Sequence, residues 1–163
     1  MVFWYEIDLS TIDSTPASRD KLKYTIQSKP LRFQIPRGKC TWGVSSYKSF
    51  QVDLSNDEFI NWWKNIESLL CPRDPFTSNM KLTSLRIKID ESTHIFDGNS
   101  NQVSPEIKEG LFRDQEVSCI VDIDSNYFFN NSWGLTVRAH QVRFYEKDGI
   151  EKGVCAFLDD SLS

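Results

Sequence analysis

What this 163-residue chain lacks narrows its reading quickly. No apolar run approaches the ~20 residues that a bilayer-spanning helix requires. The N-terminus carries neither the basic region nor the small-residue cleavage site of a secretory signal, so the expectation is an intracellular protein that is not secreted and has no membrane partner. Histidine is confined to His94 and His140, neither with a ligand-spaced partner. The cysteines Cys40, Cys71, Cys119 and Cys155 are widely scattered with no C-x-x-C, which argues against zinc and against a disulfide framework and for buried, reduced thiols. The signatures G-x-S-x-G, H-E-x-x-H, G-x-G-x-x-G and the P-loop are all absent. Asp122 and Asp124 share a strand face, but beside Ser125 and Asn126 they read as a solvated strand end. Asp159 and Asp160 read as a short acidic tail. No catalytic constellation emerges, and neither an enzyme nor a cofactor is expected.

What is present is aromatic and charged. Aromatics make up 13% of the chain and charged residues 26%, a globular balance. The length suits one domain, expected over 1–158 with the acidic tail at 159–163. The net charge of −4 conceals a segregation. From Arg19 to Lys48 eight basic residues face the single acid Asp20, a net +7, whereas from Asp90 to Asp124 nine acids face Lys108 and Arg113, a net −7. Such asymmetry predicts one anion-binding face and one acidic face, unless folding intermixes the two segments.

Periodicity gives the elements. Val2 to Asp8 reads as a strand, and 9–20, rich in Ser, Thr, Pro and Asp, as a loop. Leu22, Tyr24 and Ile26 alternate with Lys21, Lys23 and Thr25. Leu31, Phe33 and Ile35 alternate around Arg32 before Pro36-Arg37-Gly38 interrupts them. Tyr24 and Phe33 share parity with aliphatics and are expected in the core. Short strands are predicted at Cys40 to Val44 and Tyr47 to Leu54. The period then changes. Ser55-Asn56-Asp57-Glu58 has the pattern of a capping box, and Phe59, Trp62, Trp63, Ile66, Leu69 and Leu70 follow at helical spacing until Pro72. This predicts an amphipathic helix over about 56–71, with one tryptophan in the core and the other at its margin.

Leu85, Ile87 and Ile89, then Thr93 to Phe96, then Val117, Cys119, Val121 and Ile123 mark further strands, with a polar, acidic loop over 98–115. After a turn at Asn130-Asn131-Ser132 a long strand runs from Trp133 to Glu146. Its apolar parity slips between Ala139 and Val142, which predicts a β-bulge at His140-Gln141. A last short strand is expected at about Gly153 to Leu158. Many short strands, one inserted helix and one bent long strand describe a mainly β protein. The best fit is an OB-like Greek-key β-barrel, with a β-sandwich as the second choice.

The stretch from Tyr127 to Tyr145 sets aromatics at both ends of a hairpin whose second strand carries Arg138, His140 and Arg143. Bases stack on aromatic rings and phosphates seek cations, so this is the local composition of a single-stranded nucleic-acid platform. The candidate contacts are the basic residues Lys21, Lys23, Arg32, Arg37, Lys39, Lys48, Arg86, Lys88, Arg138 and Arg143 with His140. The candidate stacking residues are Trp42, Tyr47, Tyr127, Phe128 and Trp133. Of Phe128 and Phe129, which differ in parity, at least one should be exposed. Two other readings suit the same residues: an RNA-binding OB domain, or a β-barrel module that presents aromatics to a protein partner.

Tyr127, Phe128, Asn130, then Trp133-Gly134-Leu135-Thr136, then Arg138 and Gln141-Val142-Arg143 make a pattern that is more specific. It resembles the single-stranded DNA-binding proteins of large nucleocytoplasmic DNA viruses, of the African swine fever virus type, a family related to the phage T7-type binding proteins. The motif covers this hairpin; elsewhere only the order of elements matches. The resemblance implies an OB fold, sequence-tolerant single-stranded DNA binding in replication, recombination or repair, and replication proteins among the partners. It places the protein at viral replication sites in the host cytoplasm or nucleus. Val137 stands where such strands often carry a second aromatic. The C-terminus has two acids but not the closing aromatic of phage members.

Overall fold

The structure is a computed structural model and describes residues 2–18 and 21–145. In chain order its strands are β1 (Ile12–Ser18), β2 (Lys21–Ile26), β3 (Lys29–Pro30), β4 (Arg32–Gln34), β5 (Gly38–Cys40) and β6 (Ser49–Asp53). After helix α1 (Asp57–Leu70) come β7 (Met80–Lys81), β8 (Ser84–Lys88), β9 (His94–Phe96), β10 (Gln102–Val103), β11 (Gln115–Phe129) and β12 (Ser132–Tyr145). The pairings β5–β6, β6–β8, β8–β12, β12–β11 and β11–β5 close on themselves. β4 and β5 both run antiparallel to β11 and form one barrel strand broken at Pro36. Counted along the chain, the barrel strands neighbour one another in the order first, second, third, fifth, fourth and back to first. The third and fifth (β8 and β12) are parallel. That is a five-stranded OB-type Greek-key barrel, as the pattern of elements predicts, with α1 inserted between the second and third barrel strands.

The core follows from strand parity. Leu31, Phe33 and Ile35, Phe50 and Val52, Leu85 and Ile87, Val117 to Ile123 on alternate positions, and Leu135, Val137 and Ala139 all point inward and are buried. Tyr24 is in this core, and its hydroxyl donates to the Leu70 carbonyl at 2.7 Å, tying β2 to the end of α1. The helix lays Phe59, Trp63, Ile66 and Leu70 on the barrel. Trp63 is fully buried, while Trp62 sits at the margin against Trp4 and Phe33, with centroids 5.4 and 5.1 Å away. Each such aromatic pair contributes about 0.5–1.5 kcal/mol beyond area burial. Cys40, Cys71 and Cys119 are buried free thiols, and burial pushes Cys40 up to about 11.

Several sequence expectations are corrected. Val2 to Asp8 is not a strand. Phe3 makes a single bridge to Gln34, and Trp4–Glu6 and Leu9–Thr11 are 3-10 turns. The Glu6 carboxylate accepts from the Phe3 amide at 3.0 Å and Asp8 from the Ser10 amide at 3.0 Å, local bonds that outcompete a ladder. Conversely, the loop expected over 9–20 contains β1, an edge strand whose free side tolerates Pro16. The helix is capped by Asn56, whose side chain accepts from the Phe59 amide at 3.0 Å, and not by a box centred on Ser55. The strand expected over Cys40 to Val44 ends at Cys40, because Val44 folds back to exchange backbone bonds with Gly110 and Leu111 at 2.8 Å. The next strand starts at Ser49, not Tyr47, and β11 is far longer than the stretch Val117 to Ile123.

The predicted bulge is present. Ile120 pairs with Gln141 but Val121 with Ala139, so His140 is the extra residue, and Asp124 is a second extra residue on β11. Asn130 and Asn131 both have positive φ, 51° and 59°, the geometry a two-residue hairpin turn demands. The expected strand at Gly153 to Leu158, Cys155 and the acidic tail at 159–163 lie outside the described residues.

Candidate nucleic-acid interface

Two connections frame one outer face of the barrel. The first joins β5 to β6 and carries Trp42, Tyr47 and Lys48; the second is the tip of the β11–β12 hairpin with Phe128 and Phe129. Between them lie the outward residues of β6 and β8. OB barrels in general take oligonucleotides on the face of their second and third strands, between these two loops.

Here that face holds a groove of about 510 Å³ lined by Lys21, Tyr47, Ser49, Arg86, Lys88, Tyr127, Phe128 and Phe129, with Asn79 and residues 135–137 as its floor. Tyr47, Phe128 and Phe129 are 89%, 55% and 67% exposed. Large aromatics in contact with water at a groove, instead of in the core beside it, have surface free for stacking.

Tyr127 is held differently. It pairs opposite Gly134, and a Cβ at Gly134 would come within 2.5 Å of the ring. The tyrosine therefore lies across the glycine, with its hydroxyl 3.4 Å from Arg86 Nη2 as acceptor. The Trp-Gly pair of the motif has a mechanical meaning: the glycine makes room for the ring that orients the groove arginine.

The predicted cations are not equivalent. Among the described residues Lys21, Arg86 and Lys88 make no ion pair, and all three line the groove. Other predicted cations are engaged. Arg32 grips Asp122 through two bonds of 2.6 and 3.0 Å, and Arg37 bonds Glu116 at 3.0 Å while lying 3.5 Å over the Tyr145 ring. Arg138 sits between Asp124 at 2.9 Å and Asp90 at 3.6 Å. Burial raises the Asp124 carboxyl above its ordinary range, with Arg138 working against that shift.

Arg143 donates to Ser100 at 2.9 Å in a separate pocket of about 260 Å³. His140 packs edge-on against His94 at 5.7 Å, and burial first, then the Arg32 charge, depress its pKa. Lys23 and Lys39 are exposed on β2 and β5, outside the groove lining, as are Trp42 and Lys48 on the β5–β6 loop. Trp133 is half-buried under Arg73, whose guanidinium carbon stands 4.3 Å from the ring centroid.

The charge segregation along the chain is thus not one basic and one acidic face. The antiparallel pairing of β4 and β5 with β11 lays the basic segment along the acidic one, and Arg32–Asp122 and Arg37–Glu116 are the result. The candidate contacts read from the sequence leave out Phe129, which lines the groove, and Arg73, which lies over the Trp133 ring. For Phe129, both residues preceding a tight two-residue turn can project outward, a signal available in Asn130-Asn131.

No family model matches the chain, and no curated protein matches it. Three of the solved structures that share its fold are of phage single-stranded DNA-binding proteins. The gp2.5 single-stranded DNA-binding protein encoded by bacteriophage T7 superposes with a TM-score of 0.50 over 76% of this chain and 91% of that one, at 12% identity. The single-stranded DNA-binding protein of bacteriophage Enc34 gives 0.52 over 93% and 99%, at 11% identity. Its C-terminally truncated form gives 0.53 over 86% and 98%, at 9% identity. At these identities the likeness is one of fold: the chain has the OB-type barrel that these phage proteins have.

Proposed function

We propose that this protein binds single-stranded DNA with little regard to sequence, through the groove between the β5–β6 loop and the β11–β12 hairpin. The observation that carries the reading is a conjunction: three exposed aromatics line the same groove as three cations that make no ion pair among the described residues. Cations neutralise phosphates and rings stack bases, at about 1–3 kcal/mol per base, while a rigid duplex cannot present its base faces to rings. The names of the phage proteins with the same barrel support the choice of ligand. On this reading the protein coats exposed strands during replication, recombination or repair, and replication proteins are its further partners. The hairpin motif favours the branch found in large nucleocytoplasmic DNA viruses, and with it action at intracellular sites of viral replication.

The test is anisotropy of labelled oligo-dT, oligo-U and a matched duplex at low and high salt, with Tyr47→Ala and Phe128→Ala beside the wild type. The expected result is tight, salt-sensitive binding of oligo-dT, weak binding of duplex, and a loss of about five- to tenfold in each variant with folding unchanged. Equal binding of duplex overturns the stacking mechanism, and tighter binding of oligo-U makes the natural ligand RNA. Binding of none of them overturns the proposal and leaves a protein-interaction barrel.

A further inference from the structure

The groove does not end at the hairpin tip. Phe128, part of its wall, also packs on Trp133 with ring centroids 5.1 Å apart. Trp133 in turn carries Arg73 on its ring, at 4.3 Å. Arg73 belongs to the segment between α1 and β7, which is strapped along the start of β12: the Trp133 amide donates to the Pro75 carbonyl at 2.8 Å, and the Thr77 amide to the Trp133 carbonyl at 2.8 Å. The Thr77 and Ser132 hydroxyls add a bond of 2.6 Å. Two backbone bonds and a hydroxyl pair fix the strap, so the Arg73–Trp133 stack rests on a defined support. Arg73 is an exposed residue and makes no ion pair among the described residues, so its guanidinium is the outermost layer of the stack.

Resting on the reading of the groove as a single-strand site, we infer that Phe128, Trp133 and Arg73 form a second subsite that takes the strand as it leaves the groove. A guanidinium stacked on an indole offers its free face to a base and its N–H edges to a phosphate, both of which a continuing strand supplies. A single-stranded polynucleotide crossing Phe128 meets this shelf next. Trp133 then works beneath Arg73, as the support of a stacking plane and not as the plane itself.

The shelf predicts a dependence on strand length. Oligo-dT of about five nucleotides fits the groove alone, and about twelve reaches the shelf, both within the range an OB barrel covers. Arg73→Ala is expected to weaken the longer oligomer by about five- to tenfold and the shorter by less than about twofold. Arg73→Lys, which keeps the charge but loses the plane, should recover only part of the loss. Arg86→Ala should weaken both lengths. An Arg73→Ala loss that is absent, or equal for both lengths, overturns the shelf while leaving the groove standing. If the wild type binds neither length at low salt, the groove reading fails first and the shelf falls with it.

Discussion

Gly134 and Tyr127 face each other across the β11–β12 hairpin, where a side chain on Gly134 would stand 2.5 Å from the tyrosine Cζ. The obstruction is the far end of a half-buried ring, so the protein can yield by swinging Tyr127 outward, away from Arg86. Gly134→Ala should therefore cost little stability, about 1 kcal/mol, at the mild end of overpacking. It should cost more in binding, since Arg86 loses its orienting contact and Tyr127 intrudes on the groove. Thermal melts paired with oligo-dT titrations check this. A variant that melts many degrees lower, or that binds unchanged, contradicts the account. At this scale the sequence was partly legible. Trp-Gly before an alternating strand announced a turn and a special site, but the role of the glycine depends on the ring opposite, which only the register supplies. Arg73 was silent for a similar reason, since nothing between a helix end and a proline indicates that the chain returns to lie beside Trp133.

Among the elements, α1 was the plainest in sequence because its apolar positions recur at helical spacing, and one polar residue in that face stands out. Glu67 is buried on the helix, accepting from the Ser78 hydroxyl at 2.6 Å and the Asn79 amide at 3.1 Å. It thereby anchors the segment that leads into β7. Burial raises its carboxyl above the ordinary 4.5, and the two hydrogen bonds oppose that shift without cancelling it. Between 4.5 and the raised value the folded protein holds a proton that the unfolded chain has released. Stability from this group is therefore full below the ordinary pKa and lost as pH rises through the folded one. Glu67→Gln, which can keep both contacts by accepting from Asn79 and donating to Ser78, should remove that slope. Melting temperatures of the two proteins between about pH 4 and pH 7 should diverge, with the wild type declining relative to the variant as pH rises. Parallel curves would show that Glu67 does not titrate differently in the two states. The elements hardest to read were those set by neighbours and not by their own period. β1 has no apolar alternation, is exposed beyond Ile12 and exists because β2 lies beside it, and the 3-10 turns at the N-terminus follow from Glu6 and Asp8 side chains.

On the scale of the whole molecule the barrel was legible, since alternating strands, a single helix and a parity slip that became a bulge at His140 all point to one closed sheet. The distribution of charge was not, because the linear separation of basic and acidic segments is undone by the pairing of β4 and β5 with β11. The distinction is measurable through counterion release. Each phosphate neutralised on a single strand contributes about −0.7 to the slope of log K against log salt. If every cation picked out from the sequence met the strand, the slope would be about −7. The groove cations Lys21, Arg86 and Lys88, with Arg73 added for a strand long enough to reach it, predict a slope of only about −2 to −3. Arg32 and Arg37 should be silent in that titration, because their charges are already spent on Asp122 and Glu116. Arg32→Ala is expected to leave oligo-dT affinity within about twofold while lowering stability by about 1–3 kcal/mol, the cost of leaving Asp122 without its partner. Arg86→Ala should do the reverse, flattening the slope by about 0.7 with little change in melting temperature. A steep slope that flattens on replacing Arg32 would mean that the strand opens these ion pairs as it binds, and would move the interface around the barrel onto β4 and β11.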